Sequence, residues 1–196
     1  MGKKVDAVPK ELSEMSLEEL WQLFPIQLTE HNNNWDNWFR DENERLKSVL
    51  SEVEDVKIYH IGSTAIRAIW AKPIVDILIE VSSMSKLKVV KKLLSEAGYL
   101  CMNETDTRMT FNKGYTKYGF AERVFHIHVR LYGDHDELYF RDFMNEKPGL
   151  AKEYEKLKLS LWKQYEHDRD GYTNAKTELV KAYTKQAKAF YGDKEF

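Results

Sequence analysis

Apolar residues recur along the chain with two periods, and the switches between them divide it into helices and strands. Ser16-Leu17-Glu18-Glu19 has the form of a capping box, which predicts a short helix from there to Pro25. After the polar string His31-Asn32-Asn33-Asn34, the residues Trp35, Trp38, Phe39, Leu46, Val49 and Leu50 fall on a helical stripe. The acids of Asp41-Glu42-Asn43-Glu44 are expected largely on its solvent side. Strands are predicted at Val56 to Ile61 and at Pro73 to Val81, the second rich in β-branched residues with carboxylates set into it. Leu87, Val90, Leu93, Leu94 and Ala97 return to helical spacing, and Gly98 stops them. Two further strands are predicted at about Arg108 to Lys113 and Val124 to Leu131. The tail reads as helix: His135 to Asn145, Leu150 to His167 after Pro148-Gly149, and Thr173 to Tyr191 after Gly171. The order strand, strand, helix, strand, strand predicts a mixed sheet with helices packed against it, an α+β or α/β fold.

A length of 196 residues suits a single domain over 1–196, with 1–15 as a flexible lead and 148–196 as a helical part packed on the sheet. Hydrophobic residues make up 42%, and 30 Lys+Arg stand against 32 Asp+Glu, a balance that excludes disorder and argues against non-specific binding of duplex nucleic acid. No apolar run approaches the ~18 residues needed to cross a bilayer. The single Cys101 cannot form a disulfide within the chain, so a cytoplasmic location is expected. Charge is uneven: 6 basic against 13 acidic residues over 1–55, 13 against 11 over 56–146, and 11 against 8 over 147–196. An anionic small ligand is therefore easier to place in the middle or C-terminal part.

The chemistry concentrates in His60-Ile61-Gly62-Ser63-Thr64 and Lys72-Pro73-Ile74-Val75-Asp76. A Gly-Ser turn after a strand lets backbone amides approach phosphate oxygens, and the Ser63 and Thr64 hydroxyls add donors. Asp76 is then placed to hold Mg²⁺ against those phosphates, with Lys72 as a neutralising cation. Strand alternation puts Ile74, Asp76, Leu78 and Glu80 on one face, but Glu80 lies about 13 Å from Asp76, too far to share a metal. In Phe125-His126-Ile127-His128-Val129-Arg130 the same alternation gathers His126, His128 and Arg130. Arg108, Thr110 and Asn112 form a similar row. If these strands are neighbours, Asp76, Arg108, His126 and His128 share one pocket walled by the Gly62-Ser63-Thr64 loop, suited to phosphate or carboxylate ligands. Arg141, in Phe140-Arg141-Asp142-Phe143, extends the pocket if its helix turns it inward. Two alternatives compete: zinc on the His-x-His strand with His60 as third ligand, and a Ser63-His126-Asp76 hydrolase, for which no nucleophile elbow is present. The lysines and tyrosines of the last two helices read as solvated surface and packing.

Together these segments resemble the GrpB family of the nucleotidyltransferase superfamily. The resemblance runs from about Leu20 to Tyr191 and rests on Trp35 with Phe39, His60-Ile61-Gly62-Ser63-Thr64, and Ala71-Lys72-Pro73-Ile74-Val75-Asp76-Ile77. It continues through Arg108, His126-Ile127-His128-Val129, Phe140-Arg141-Asp142-Phe143, Tyr154 with Leu157-Lys158, and Tyr172 with Lys176. It implies a DNA polymerase beta-like nucleotidyltransferase fold, in which a Gly-Ser loop holds nucleotide phosphates and acids on adjacent strands bind two Mg²⁺ ions. Against that pattern Leu78 takes the place of a second acid, and the third would fall near His126 or His128. The Val-Pro-Gly usual after the loop is replaced by Ile66-Arg67-Ala68, which adds the Arg67 cation near the phosphates.

The function expected is binding of a nucleotide or other phosphorylated small molecule, with Mg²⁺-dependent nucleotidyl or phosphoryl transfer as its catalytic form. There Asp76, His126 and His128 would be catalytic, and Gly62, Ser63, Thr64, Lys72, Arg108 and Arg141 would hold phosphate. The alternatives are an inactive nucleotide- or anion-binding module, and an accessory protein that meets a protein partner through its acidic N-terminal helices.

Overall fold

A computed structural model describes residues 10–196. Residues 1–9, part of the lead expected to be flexible, lie outside the described residues, whereas Leu12–Glu14 form a 3-10 turn. Helix α1 is Leu17–Leu23, capped as expected: Ser16 Oγ accepts from the Glu19 amide, and the Glu19 carboxylate accepts from the Ser16 amide. The chain continues through α2 (Asn34–Val49), β1 (Lys57–Ile61), β2 (Val75–Val81), α3 (Met84–Glu96), β3 (Leu100–Glu104), β4 (Arg108–Thr116) and β5 (Gly119–Leu131). It ends in α4 (Asp136–Glu146), α5 (Pro148–Gln164) and α6 (Arg169–Tyr191).

The strands form one mixed α+β sheet in the order β1-β2-β5-β4-β3, with β2 and β5 parallel and the other pairs antiparallel. The pattern predicted four strands. Edge strand β3 was missed because all five of its residues are exposed, so it carries no alternation to read.

The two faces of the sheet differ in chemistry. Val75, Ile77, Ile79 and Val81 of β2, with Phe125, Ile127 and Val129 of β5, pack against Trp35 and Leu46 of α2 and Leu87, Val90 and Leu94 of α3. That is the main core. The opposite face carries Asp76, Leu78 and Glu80, aligned with His126, His128 and Arg130 in the β2/β5 register. Leu138 of α4 seals it against Ile61 and Leu78. Over this face α4, α5 and α6 build a second core of their own, in which Phe140, Tyr154 and Tyr183 enclose Ile66 and Ile69 of the long β1–β2 connection. The tail thus reaches the sheet by way of α4 and that connection. The space left between sheet, connection and α6 is where the polar residues meet.

Two sequence expectations are corrected here. Glu42 does not face solvent: it is 5% exposed and binds Lys113 Nζ at 2.6 and 2.7 Å and the Tyr99 hydroxyl. Position 42 lies seven residues after Trp35 and four before Leu46, on the apolar stripe, and a matched cation makes its burial tolerable. Helix α6 starts at Arg169, before Gly171. Asp168 caps it by accepting from the Gly171 amide at 2.8 Å, and a β-carbon on Gly171 would stand 2.2 Å from Asp168 Oδ2. The glycine read as a break makes room for the cap.

Candidate functional site

The site begins where β1 ends. Ile61 pairs with Asp76, and the next residue, Gly62, turns the chain at φ 72° and ψ −171°, a conformation essentially confined to glycine. A β-carbon there would stand 2.2 Å from Asp76 Oδ2. The absence of a side chain lets the loop backbone lie against the carboxylate. Ser63–Ala65 then form a 3-10 turn that brings Ser63 to the cleft. Thr64 turns the other way and is buried; its hydroxyl donates to the Ile74 carbonyl at 3.3 Å and accepts from His60 Nε2 at 3.0 Å. With its proton committed and its side chain buried, Thr64 latches the loop to the start of β2 and does not take the phosphate-holding place expected of it.

His60 itself lies on the opposite sheet face, stacked on Phe39 of α2 at 4.9 Å. Burial pushes its pKa down to about 4, so it is neutral at pH 7, with its Nε2 proton on Thr64. The zinc reading that needed His60 beside His126 and His128 therefore has no geometric basis.

Asp76, on β2, is 26% exposed and faces His126 Nδ1 at 3.2 Å and His128 Nε2 at 3.5 Å. Burial works to raise its pKa, but the contacts with the two imidazoles outweigh it and hold the carboxyl well below the usual carboxylate range. His126 Nε2 receives Arg169 Nη2 at 3.1 Å and lies 2.8 Å from the Tyr115 hydroxyl, which in turn accepts from Arg169 Nη1 at 3.1 Å. A guanidinium has no acceptor, so Nε2 must be bare and Nδ1 must carry the proton toward Asp76. Burial, together with Arg169 and Lys72, pushes His126 below the ordinary imidazole range despite Asp76. Both its nitrogens are committed. His128 is freer: its Nδ1 is buried and has no hydrogen-bond partner among the described residues.

Two adjoining cavities open on this cluster. The inner one, about 260 Å³, is lined by four cations (Lys72, Lys158, Arg169 and Lys176), with Asp76 as the single carboxylate. Burial is the main cause that lowers Lys72 to about 7, and neighbouring cations add to it. Lys158, 1% exposed, is also lowered to about 7 by burial, and its Nζ donates to the Trp70 carbonyl. Lys72 and Lys176 lie 5.5 and 4.9 Å from the centre of the Tyr172 ring. The outer cavity, about 600 Å³, shares Ser63, Asp76, His128 and Lys176 with the inner one and continues along Ile61, Phe140, Tyr154 and Val180.

The structure thus brings Gly62, Ser63, Lys72, Asp76, His126 and His128 together, and separates Arg108 and Arg141 from them. Arg108 aligns with Arg130 at the other end of the sheet and clamps Asp134 through Nε at 2.7 Å and Nη2 at 2.6 Å. The expected polar row exists, but Arg108 lies four positions along it from Asn112, the partner of His126. Arg141 turns toward the sheet yet donates to the His60 carbonyl at 2.9 Å and to Asp142 at 2.7 Å, outside both cavities. Arg67 is exposed and lines neither cavity; its amide donates to Asn145. Sequence reasoning missed Arg169, Tyr115, Lys158, Tyr172 and Lys176 as site residues. For Arg169 the signal was the Asp168-x-x-Gly171 cap, which starts the helix early enough to aim the guanidinium at His126.

These residues do not fit a magnesium pair. Magnesium requires oxygen ligands in near-octahedral geometry. Here Leu78, 0% exposed, packs under Ile61, and the strand beside it presents imidazoles at both positions facing the acid sites. Among the described residues no group of three His, Cys, Asp or Glu side chains is arranged to hold a metal ion.

The model of the family described as GrpB protein matches residues 25–186. The chain belongs to the GrpB family. It is 37% identical to the Glutamate-rich protein GrpB of Alkalihalophilus pseudofirmus over 162 residues, 79% of this chain and 91% of the relative. It is similar to the crystal structure of conserved protein GrpB from Enterococcus faecalis, with a TM-score of 0.73 and 28% identity over 84% of this chain and 99% of that one. A weaker similarity, with a TM-score of 0.42 and 13% identity over 73% of this chain and 47% of the other, extends to the Cid1 poly (U) polymerase bound to MgATP. The mixed α+β sheet expected of this GrpB chain is in place, with β1, the Gly62-Ser63 turn and β2 leading to a parallel β5. Among the described residues, no helix is long and apolar enough to cross a membrane.

Proposed function

We propose that this GrpB protein is a cytosolic, nucleotidyltransferase-like binding protein that recognises a nucleotide or another phosphorylated small molecule at the Gly62-Ser63 turn. The observation that carries this reading is the inner cavity, where four basic side chains surround one carboxylate beside the Gly62-Ser63 turn. Clustered buried cations repel one another and resist desolvation, and an anion entering among them relieves both costs. Ser63 adds a hydroxyl at the rim shared by both cavities.

The same residues favour recognition over two-metal transfer, because Leu78 and the imidazoles of β5 stand where further carboxylates would be needed. The accessory-protein reading draws less support. Glu42 is consumed in the core and Asp41 binds Arg123 at 2.8 Å, so the acidic helix α2 spends part of its charge internally.

A thermal-shift screen of nucleotides, coenzyme A precursors and sugar phosphates tests the proposal. A ligand at a hundred times its Kd stabilises by about 2.7 kcal/mol. Phosphorylated compounds are expected to raise Tm in the wild type and less in Lys176→Met. If no phosphorylated compound shifts Tm, the reading fails.

A further inference from the structure

The mismatch between this site and magnesium defines the anion it takes. We infer that the inner cavity is a metal-free subsite for the single phosphate group of a phosphate monoester, whose remaining body lies in the outer cavity. This rests on the reading of the cleft as a phosphate site and narrows it.

Size is the first argument. Cavities that hold a whole small ligand span about 300–1,000 Å³, so about 260 Å³ suits one charged group and the adjoining 600 Å³ suits the part attached to it. The shared rim of Ser63, Asp76, His128 and Lys176 is where the ester linkage would cross. Beyond it the wall combines apolar and aromatic surface from Ile61, Phe140, Tyr154 and Val180 with two carboxylates, Asp136 and Glu137, and three lysines of α6.

The second argument is an unsatisfied donor. Tyr172 is 1% exposed and lines the inner cavity, and its hydroxyl has no hydrogen-bond partner among the described residues. A buried hydroxyl without a partner costs about 1–3 kcal/mol, a cost that an acceptor oxygen reaching it would remove. Arg169 uses two of its nitrogens on Tyr115 and His126, and a guanidinium has five N–H donors in all.

The third argument is charge. A phosphate monoester carries about −1.5 to −2 at pH 7. Lys72, Arg169 and Lys176 supply the compensation that divalent ions supply in two-metal sites, and they do so from fixed side chains. A divalent cation added among them meets repulsion from each. Asp76, the one carboxylate present, already faces His126 Nδ1 at 3.2 Å, with the Gly62 backbone against its other oxygen. Its role in this subsite is to orient His126.

Isothermal titration with inorganic phosphate and adenosine monophosphate, each in EDTA and in excess Mg²⁺, tests the inference on wild type, Tyr172→Phe, Lys72→Met and Asp76→Asn. The expected result is equal affinity with and without Mg²⁺. Tyr172→Phe should bind both probes about 5- to 10-fold more weakly, the equivalent of one lost hydrogen bond, and Lys72→Met should also bind them more weakly. Asp76→Asn should bind at least as tightly as wild type, because a negative charge has left the cation cluster. Binding that appears only with Mg²⁺ and vanishes in Asp76→Asn would overturn the inference and leave the phosphate site standing. Equal affinity for the two probes would overturn the assignment of the ester body to the outer cavity. Loss of all binding in both conditions would overturn the phosphate reading itself.

Discussion

Arg169 Nη2 lies 3.1 Å from His126 Nε2, so the guanidinium at the first turn of α6 determines which nitrogen of a histidine on β5 carries the proton. The proton is driven to Nδ1, against Asp76, and a second proton on Nε2 would point at a cation. Replacing Arg169 with Met should let His126 protonate at higher pH than in the wild type. Imidazole resonances followed by NMR through a pH titration report this directly. Unchanged titration of His126 would mean that burial alone, and not Arg169, keeps it neutral.

Gly62 is the position least able to accept any other residue. Gly62→Ala imposes a left-handed conformation on an L-residue, for about 1–3 kcal/mol, and drives a methyl into Asp76 Oδ2. Gly98→Ala is the internal control, since Gly98 also has positive φ, 88°, but nothing lies within 4 Å of a β-carbon there. Urea unfolding should show both variants destabilised, with Gly62→Ala the more severe by the cost of overlap. Equal losses would show that Asp76 yields freely and that the close approach has no energetic weight.

The contrast between β2 and β3 shows what a pattern reveals. In β2 every second residue faces the same core, so Val75, Ile77, Ile79 and Val81 announce both strand and face, and Asp76 follows on the other side. Strand β3 is held by β4 at the sheet edge and buries none of its residues, so nothing in Leu100 to Glu104 reports it. The site divides the same way. Gly62, Ser63 and Asp76 were legible because they lie at the facing ends of consecutive antiparallel strands, Ile61 pairing with Asp76. Lys158, Arg169, Tyr172 and Lys176 come from helices about a hundred residues later in the chain, and their inward direction depends on how α5 and α6 pack. Helical lysines have the same sequence signature whether they face a cavity or water. Arg108 and Arg141 shared a face or an element with the site but missed it by their level along the sheet or by their partners.

Glu42 joins α2 to the sheet through Lys113 and Tyr99, and both of its partners are themselves partly or wholly buried. Glu42→Leu is a good shape match on the apolar stripe, yet it leaves the Lys113 ammonium, 30% exposed, without its carboxylate. Hydrogen bonds to charged groups contribute about 1.5–3 kcal/mol, and the expected loss falls in that range. A double variant, Glu42→Leu with Lys113→Met, should recover part of it, because both members of the buried pair have then been replaced by apolar groups. Chemical denaturation of the four proteins forms the cycle, and strict additivity would show that the pair is not coupled.

Lys72 offers a pH signature of anion binding. Burial and its cationic neighbours lower it to about 7, and an anion in the inner cavity favours its charged form. Below pH 7 the ammonium is already present and binding needs no proton. Above pH 7 the free protein holds a neutral amine, so each bound anion must draw a proton and affinity falls as pH rises. Sulfate is the suitable probe, because its charge is constant over this range whereas a phosphate monoester has a second pKa of about 6. Sulfate affinity should be flat from about pH 5.5 to 6.5 and then decline toward a tenfold loss per pH unit well above 7. Lys158, also lowered to about 7, adds to the slope if its Nζ turns from the Trp70 carbonyl to the anion. Lys72→Met should bind more weakly below pH 7 and lose most of the decline. If the slope survives in full in Lys72→Met, the titrating group is Lys158, and Lys158→Met should then abolish it.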